Sequence, residues 1–232
     1  MFHRRGSAPF EDPLNLLHRA VIKLYSIWVS MTYPFACSGR NLSIHYGCKL
    51  SRSHAHRIKL GGSVAIHKDV NLRVQVPLED QGDPVLVIDE GCVIGARCTV
   101  SAKNCVYLER DVVLEPSVLI QDHTHGYRDV TLPIWQQGFA TEGGRIRIRQ
   151  GCWIGHGAVI HCDVGELTLG RNCVVAPSSL VNRSFPAYSL IAGNPARVLK
   201  QFDPVKGVWV LGSSRPAYSE SAQQQPGAQV RS

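Results

Sequence analysis

Residues 88–100 read IDEGCVIGARCTV, residues 106–118 read VYLERDVVLEPSV, and residues 148–160 read IRQGCWIGHGAVI. In each stretch an aliphatic residue recurs at every sixth position. The period extends in both directions, with a polar break after residue 76 and a slip of three residues after residue 160. The aliphatic series is Ile58, Val64, Val70, Val76, Ile88, Ile94, Val100, Val106, Val112, Val118, Ile148, Ile154, Ile160, Leu169, Val175 and Val181.

A six-residue period fits neither the 3.6-residue turn of a helix nor the two-residue alternation of a simple strand. It fits a triangular β-helix, in which three short strands joined by tight turns close one coil and the aliphatic side chain points inward. About 13 regular hexads predict between four and five coils, on the order of 5 Å apart. Glycines follow the aliphatic at Gly95, Gly155 and Gly170, where we expect them to relax the corners.

The cysteines follow the same period. Cys92, Cys98, Cys152 and Cys173 occupy a small-residue position four places after an aliphatic. We interpret them as core filler rather than metal ligands or disulfide partners. Because the chain has no CxxC motif and does not open with a signal-peptide pattern, we expect a reducing, cytoplasmic location.

Charge is distributed unevenly along the 232 residues. The formal net charge is +7, and residues 1–60 contain nine Lys or Arg against two acidic residues, which accounts for the whole excess. This basic end predicts an anionic partner or surface. Aromatic residues do not alternate with the basic ones, so we expect no nucleic-acid binding.

The N-terminal segment, residues 1–57, contains a predicted helix. Asp12-Pro13 is a typical helix start, and Pro34 ends the pattern. Apolar residues at alternating spacings of three and four predict one face, namely Leu14, Leu17, Val21, Leu24, Trp28 and Met31. Residues 21–36 are too short for a membrane span and include Lys23. Two interpretations remain open: the helix packs on the main domain, or it lies peripherally on a membrane.

Three motifs resemble those of a known family. Residues 121–129 read QDHTHGYRD, residues 151–155 read GCWIG, and residues 192–200 read AGNPARVLK. Together with the hexads they are similar to the hexapeptide-repeat acyltransferases, and in particular to the bacterial enzymes that O-acetylate sugars and polysaccharides. The resemblance implies an all-β solenoid, a left-handed parallel β-helix, over residues 58–203. Residues 204–232 form a tail, which we expect to be disordered from about residue 212 because it is rich in Ser, Gln, Pro and Gly.

The hexads stop between Val118 and Ile148, and a long excursion from a regular solenoid is usually functional. Acetyl transfer from acetyl-CoA to a hydroxyl needs a proton acceptor, for which histidine is suited near neutral pH. The resemblance implies that His123 is this base. Asp122 could hold the other ring nitrogen, and His125 could contact the substrate, a sugar or glycan acceptor.

In this family the donor lies between two prisms of a homotrimer, and this implies a set of donor-binding positions here. They are His156, Pro177, Asn182, Arg183, Arg197 and Lys200. The three basic residues among them could pair with phosphate oxygens of acetyl-CoA.

Two alternatives come from other classes of protein. His156 and His161 resemble the zinc-binding stretch of γ-class carbonic anhydrases, which use the same fold. A third ligand would have to be His123 or His125, which do not match that pattern, so we expect no metal. The other alternative is a β-helix scaffold without activity.

Overall fold

A computed structural model describes residues 13–211. Helix α1 spans Pro13–Thr32, and short 3-10 helices span Arg52–Arg57 and Ile134–Gln136. The strands are β1 (Cys37–Ser38), β2 (Ser43–Ile44), β3 (Lys49–Leu50), β4 (Ile58–Leu60), β5 (Ala65–Ile66), β6 (Asn71–Val74), β7 (Leu86–Ile88), β8 (Val93–Ile94), β9 (Thr99–Ala102), β10 (Cys105–Leu108), β11 (Val113–Leu114), β12 (Leu119–Gln121), β13 (Gly144–Ile148), β14 (Trp153–Ile154), β15 (Val159–His161), β16 (Gly165–Leu169), β17 (Val174–Val175), β18 (Leu180–Val181), β19 (Ser189–Gly193), β20 (Ala196–Asp203) and β21 (Val208–Leu211).

Successive strands enter three different sheets in rotation. Sheet A contains β1, β4, β7, β10, β13 and β16. Sheet B contains β2, β5, β8, β11, β14 and β17, extended by β19, β20 and β21, and sheet C contains β3, β6, β9, β12, β15 and β18. Strands of successive coils pair in parallel, whereas β19–β20 and β20–β21 are antiparallel. The described chain therefore forms six three-sided coils.

The predicted inward positions form the core. All of the aliphatic series except Val76 are at most 1% exposed, and Val76 is half-buried. Each regular side of a coil contributes two inward residues separated by one outward residue, as at Leu86 and Ile88 in β7. Cys92, Cys98, Cys152 and Cys173 are fully buried and free, as expected for core filler.

The coils begin before the predicted boundary at residue 58. Strands β1, β2 and β3 already pair with β4, β5 and β6, so a coil starts at Cys37. The exposed Ser38 and the half-buried Cys48 stand in register with inward residues of the next coil, so the aliphatic period is invisible there. At the other end, β21 lies within the predicted tail, and residues 212–232 lie outside the described residues.

The unbroken period from Ile88 to Val118 hides a change of register. Leu108 of β10 stacks on Ile88, while Val106 stacks on Leu86. Val106 therefore occupies the first inward position of its strand and Ile88 the second. The coil between the two strands contains 20 residues rather than 18, because two residues are inserted between β9 and β10. The insertion is two residues long, and the two inward positions of a strand are also two residues apart. The aliphatic residue that falls on the six-residue period is therefore still an inward one, and the period looks unbroken in the sequence.

The glycines serve a different purpose from the one predicted. Gly95, Gly155 and Gly170 do not have positive φ angles. A Cβ at Gly95 would lie 2.6 Å from the carbonyl oxygen of Leu114, and one at Gly155 would lie 2.7 Å from the nitrogen of Pro177. These glycines are therefore required by the close stacking of successive coils rather than by corner dihedrals.

Helix α1 packs on the first coil with a face that was not predicted. Ser26 and Val29 are buried, whereas the predicted apolar residues Leu17, Leu24 and Met31 are 65%, 68% and 81% exposed. The helix thus packs on the main domain, but through a face other than the predicted apolar one. The expected cap at Asp12 lies outside the described residues. Within residues 13–211, no helix is both long and apolar enough to span a bilayer.

Candidate active site

One corner of the prism carries every irregular connection between coils. Turns from sheet A to sheet B, and from sheet B to sheet C, contain four residues in each coil. The C–A corner is variable, with two residues between β9 and β10 but 22 between β12 and β13. In solenoids, insertions on one side commonly mark the binding face. The predicted catalytic residues lie at this corner, directly after β12.

The Asp122 carboxylate is fully buried and accepts four hydrogen bonds. Oδ1 accepts from the backbone N–H of Lys103 and from Nδ1 of His123, both at 2.8 Å. Oδ2 accepts from the backbone N–H of Asn104 at 2.8 Å and of Cys105 at 2.7 Å. These three N–H groups belong to the two-residue insertion and the start of β10, so Asp122 holds that turn in place. This second role was not predicted from the sequence.

His123 is held in one orientation on several sides. The side-chain amide of Gln121 donates to its carbonyl oxygen at 2.7 Å. The Phe139 ring packs perpendicular to the imidazole, with centroids 5.0 Å apart. Since a carboxylate can only accept, the proton of the neutral ring lies on Nδ1, and Nε2 has the free lone pair.

The Nε2 atom of His123 is the one polar atom of this ring that remains available. It has no hydrogen-bond partner among the described residues, and no fully buried polar side-chain atom in the described part of the chain is unpaired. The 5% of the His123 side chain that is exposed therefore includes Nε2. The arrangement provides a proton acceptor at a narrow opening, backed by a buried negative charge.

His125 lies two residues further on and is exposed. Its Nδ1 donates to the carbonyl of Gly138 at 3.1 Å, and its ring stacks on Phe139 with centroids 5.1 Å apart. It lines a cavity of about 320 Å³ together with Tyr127, Arg128 and other residues of the excursion. Phe139 thus lies against both histidines, one on the cavity side and one beneath it.

The predicted donor residues lie elsewhere on the prism. His156 and Pro177 belong to the four-residue turns of the B–C corner in two neighbouring coils. Arg183 follows β18, with its guanidinium 3.4 Å from the carbonyl oxygen of Ala196, and Arg197 is the next residue along β20. Asn182 and Lys200 are exposed near these two arginines in sequence. Sheet C separates His156 and Pro177 from His123 within one chain.

The two histidines of the zinc alternative do not converge within one chain. His156 lies in the turn before β15 and His161 is the last residue of that strand, where it pairs with Gln121. In residues 13–211, no three His, Cys, Asp or Glu side chains form a group that could hold a metal ion.

Comparisons with known proteins agree with the repeat and its motifs. The chain is 23% identical over 167 residues to WbbJ of Escherichia coli K12, whose name assigns it to O-acetyl transfer in lipopolysaccharide biosynthesis; the match covers 70% of this chain and 83% of WbbJ. It is 31% identical over 112 residues to a Mycobacterium tuberculosis protein named as an acetyltransferase, over 46% of this chain and 36% of that protein. No protein-family model matches the chain.

Solved structures resemble the fold at low sequence identity. AntD, an N-acyltransferase from Bacillus cereus crystallised with dTDP and 3-hydroxybutyryl-CoA, superimposes with a TM-score of 0.60 at 17% identity, over 77% of this chain and 86% of AntD. Three observations are consistent with one another: the three-sided parallel coils, the histidine–carboxylate pair at their variable corner, and the relatives named as acetyltransferases. The likeness to relatives named as acetyltransferases agrees with the resemblance of the repeat and its motifs to the hexapeptide-repeat acyltransferases.

Proposed function

We propose that the protein transfers an acetyl group from acetyl-CoA to a hydroxyl of a sugar or glycan, with His123 as general base. The observation that carries the proposal is the pairing of His123 Nδ1 with the buried Asp122 carboxylate, which leaves Nε2 free to accept a proton. The relatives named for acetyl transfer, one of them for O-acetyl transfer in lipopolysaccharide biosynthesis, support the choice of reaction.

In the proposed reaction the acceptor oxygen attacks the thioester carbonyl carbon while Nε2 of His123 takes the hydroxyl proton. Collapse of the tetrahedral intermediate forms the ester and breaks the carbon–sulfur bond, and the same proton passes to the departing CoA sulfur. Asp122 stabilises the transient imidazolium, since the charge develops 2.8 Å from its Oδ1. No enzyme nucleophile is needed, and alignment of the two substrates supplies much of the rate.

We further propose a homotrimer with the left-handed coil of the family. A donor bound along the B–C corner of one chain, at His156 and Pro177, would reach the C–A corner of a neighbour more easily than that of its own chain. Cyclic symmetry would then give three equivalent sites between subunits. The eight free cysteines support a reducing, cytoplasmic location.

The test compares two histidine variants by release of free CoA from acetyl-CoA in the presence of a panel of sugar acceptors. We expect His123→Ala to lower turnover by roughly 10²–10⁴-fold, the usual contribution of a general base. His125→Ala should cost less, because its Nδ1 pairs with a carbonyl group rather than a carboxylate. Donor affinity and sedimentation as a trimer should be unchanged in both variants. A His123→Ala protein that retains near-normal turnover would refute the assignment.

A further inference from the structure

Helix α1 is fixed to the prism by one face. Val29 is 0% exposed, and the hydroxyl of Ser26 accepts the backbone N–H of Ile44 at 2.7 Å. Ser26 Oγ also lies 2.6 Å from the carbonyl oxygen of Ile22, to which it donates. The helix is therefore held with a defined side toward the coils and a defined side toward solvent.

The solvent side, here called the outer face of α1, is apolar along the helix. Its large side chains are Leu16, Leu17, Val21, Leu24, Ile27, Trp28 and Met31, which are 45–81% exposed. A helix of 20 residues extends about 30 Å, so this face is an elongated apolar strip. Contiguous exposed apolar surface of this kind marks an interaction site.

The charges around the strip favour an anionic occupant. Pro13–Thr32 contains no Asp or Glu, and its charged residues are Arg19 and Lys23, one turn apart. The whole net charge of +7 belongs to residues 1–60. At the end of the helix the rings of Trp28 and Tyr33 lie 6.1 Å apart, and such amphipathic rings favour the boundary between lipid and water.

We propose that the outer face of α1 docks on an anionic lipid bilayer, with the helix lying in the plane of the interface. Helices with an apolar face and flanking basic residues bind in this way without crossing the membrane. A second copy of the chain is the less favoured occupant, because it would bring Arg19 and Lys23 close to the same residues of its partner. This inference goes beyond the proposed acetyl transfer and does not depend on it.

The test is flotation of the full chain with vesicles of phosphatidylcholine, with and without phosphatidylglycerol. We expect the chain to float with the anionic vesicles. Leu24→Gln should weaken partitioning about tenfold, from the lost burial of one large apolar side chain. Lys23→Glu should weaken it roughly tenfold on anionic vesicles and little on neutral ones. The matched control is Val205→Gln, at a residue 93% exposed in the C-terminal hairpin, which should float like the unmodified chain.

Sedimentation of the same variants distinguishes the two occupants. If Leu24→Gln floats normally, or if the unmodified chain does not float, the proposal is overturned. It is also overturned if Leu24→Gln lowers the oligomeric mass, because the outer face would then be a subunit interface. The circular dichroism spectrum and the thermal unfolding midpoint of Leu24→Gln should match those of the unmodified chain, which verifies that the variant is folded.

Discussion

Replacement of Asp122 by Asn tests the buried carboxylate with a side chain of nearly the same shape. The carboxylate accepts four hydrogen bonds, three from backbone N–H groups of Lys103, Asn104 and Cys105 and one from His123. An amide has one acceptor oxygen and one NH2 donor. Either orientation therefore places an NH2 group against two of the four partners.

The two orientations fail in different ways. With the amide oxygen at the Oδ2 position, the NH2 group faces Lys103 N–H and donates to His123 Nδ1. The imidazole proton then moves to Nε2, which can no longer accept a proton. With the oxygen at the Oδ1 position, the N–H groups of Asn104 and Cys105 become buried and unpaired. Hydrogen bonds to a charged group are worth about 1.5–3 kcal/mol each, so we expect a loss of about 3 kcal/mol in unfolding free energy.

The assay combines turnover at saturating acetyl-CoA with the free energy of unfolding in denaturant. We expect Asp122→Asn to lower turnover by roughly 10²–10⁴-fold and to destabilise the protein, whereas His123→Ala should lower turnover with a smaller loss of stability. The matched control is Asp111→Asn, an exposed corner carboxylate whose side-chain partner, Gln150, is 3.4 Å away. If Asp122→Asn loses stability but keeps its turnover, the carboxylate only holds the turn. If Asp122→Asn loses neither stability nor turnover, the four hydrogen bonds of the carboxylate do not have the roles argued for them.

Three further changes test the coil, the core and the donor site. Gly155→Ala should lower the unfolding free energy by about 2 kcal/mol, because the new Cβ would overlap the backbone at Pro177. The control Gly47→Ala should leave the unfolding free energy unchanged, because the nearest atom to its new Cβ would be 3.4 Å away. Burial raises the pKa of the Cys92 thiol to about 12, so alkylation of the native protein should modify the exposed Cys37 rapidly and Cys92 only after unfolding. Arg197→Ala should weaken acetyl-CoA binding about tenfold in calorimetry with no change in unfolding, and unchanged affinity would assign the phosphates to other residues.

The sequence predicted the core because packing in a solenoid repeats with the chain. Val64, Val112 and Ile154 are all inward, since each coil places the same positions on the same side of the sheet. The first coil was not predicted because Ser38 and Cys48 stand at register positions where the next coil has the larger apolar side chains of Leu60 and Val70. The buried face of α1 was not predicted, because the apolar pattern of an isolated helix does not indicate which side packs on the coils.

The candidate site could be predicted only in part from the sequence. His123 could be selected from the excursion and from its motif, but the partners that orient it come from distant parts of the chain. Lys103 and Asn104 lie in the preceding coil and Phe139 near the end of the excursion. The two-residue insertion before β10 was the one local sign of this arrangement. The six-residue spacing concealed it, because Val106 stacks on Leu86 rather than on Ile88.

That insertion explains why a charged group can be buried beside His123. In regular corners each turn donates backbone N–H groups to the preceding coil, as from Asp111 to the carbonyl of Glu90 at 3.0 Å. The two-residue turn between β9 and β10, together with the start of β10, instead directs three N–H groups toward Asp122. Burial of an ionised carboxylate is costly unless donors surround it, and this turn supplies them. A break in the repeat thus stabilises the carboxylate that holds His123 with its Nε2 open, which is why the proposed catalytic pair belongs at the irregular corner and not at either of the regular ones.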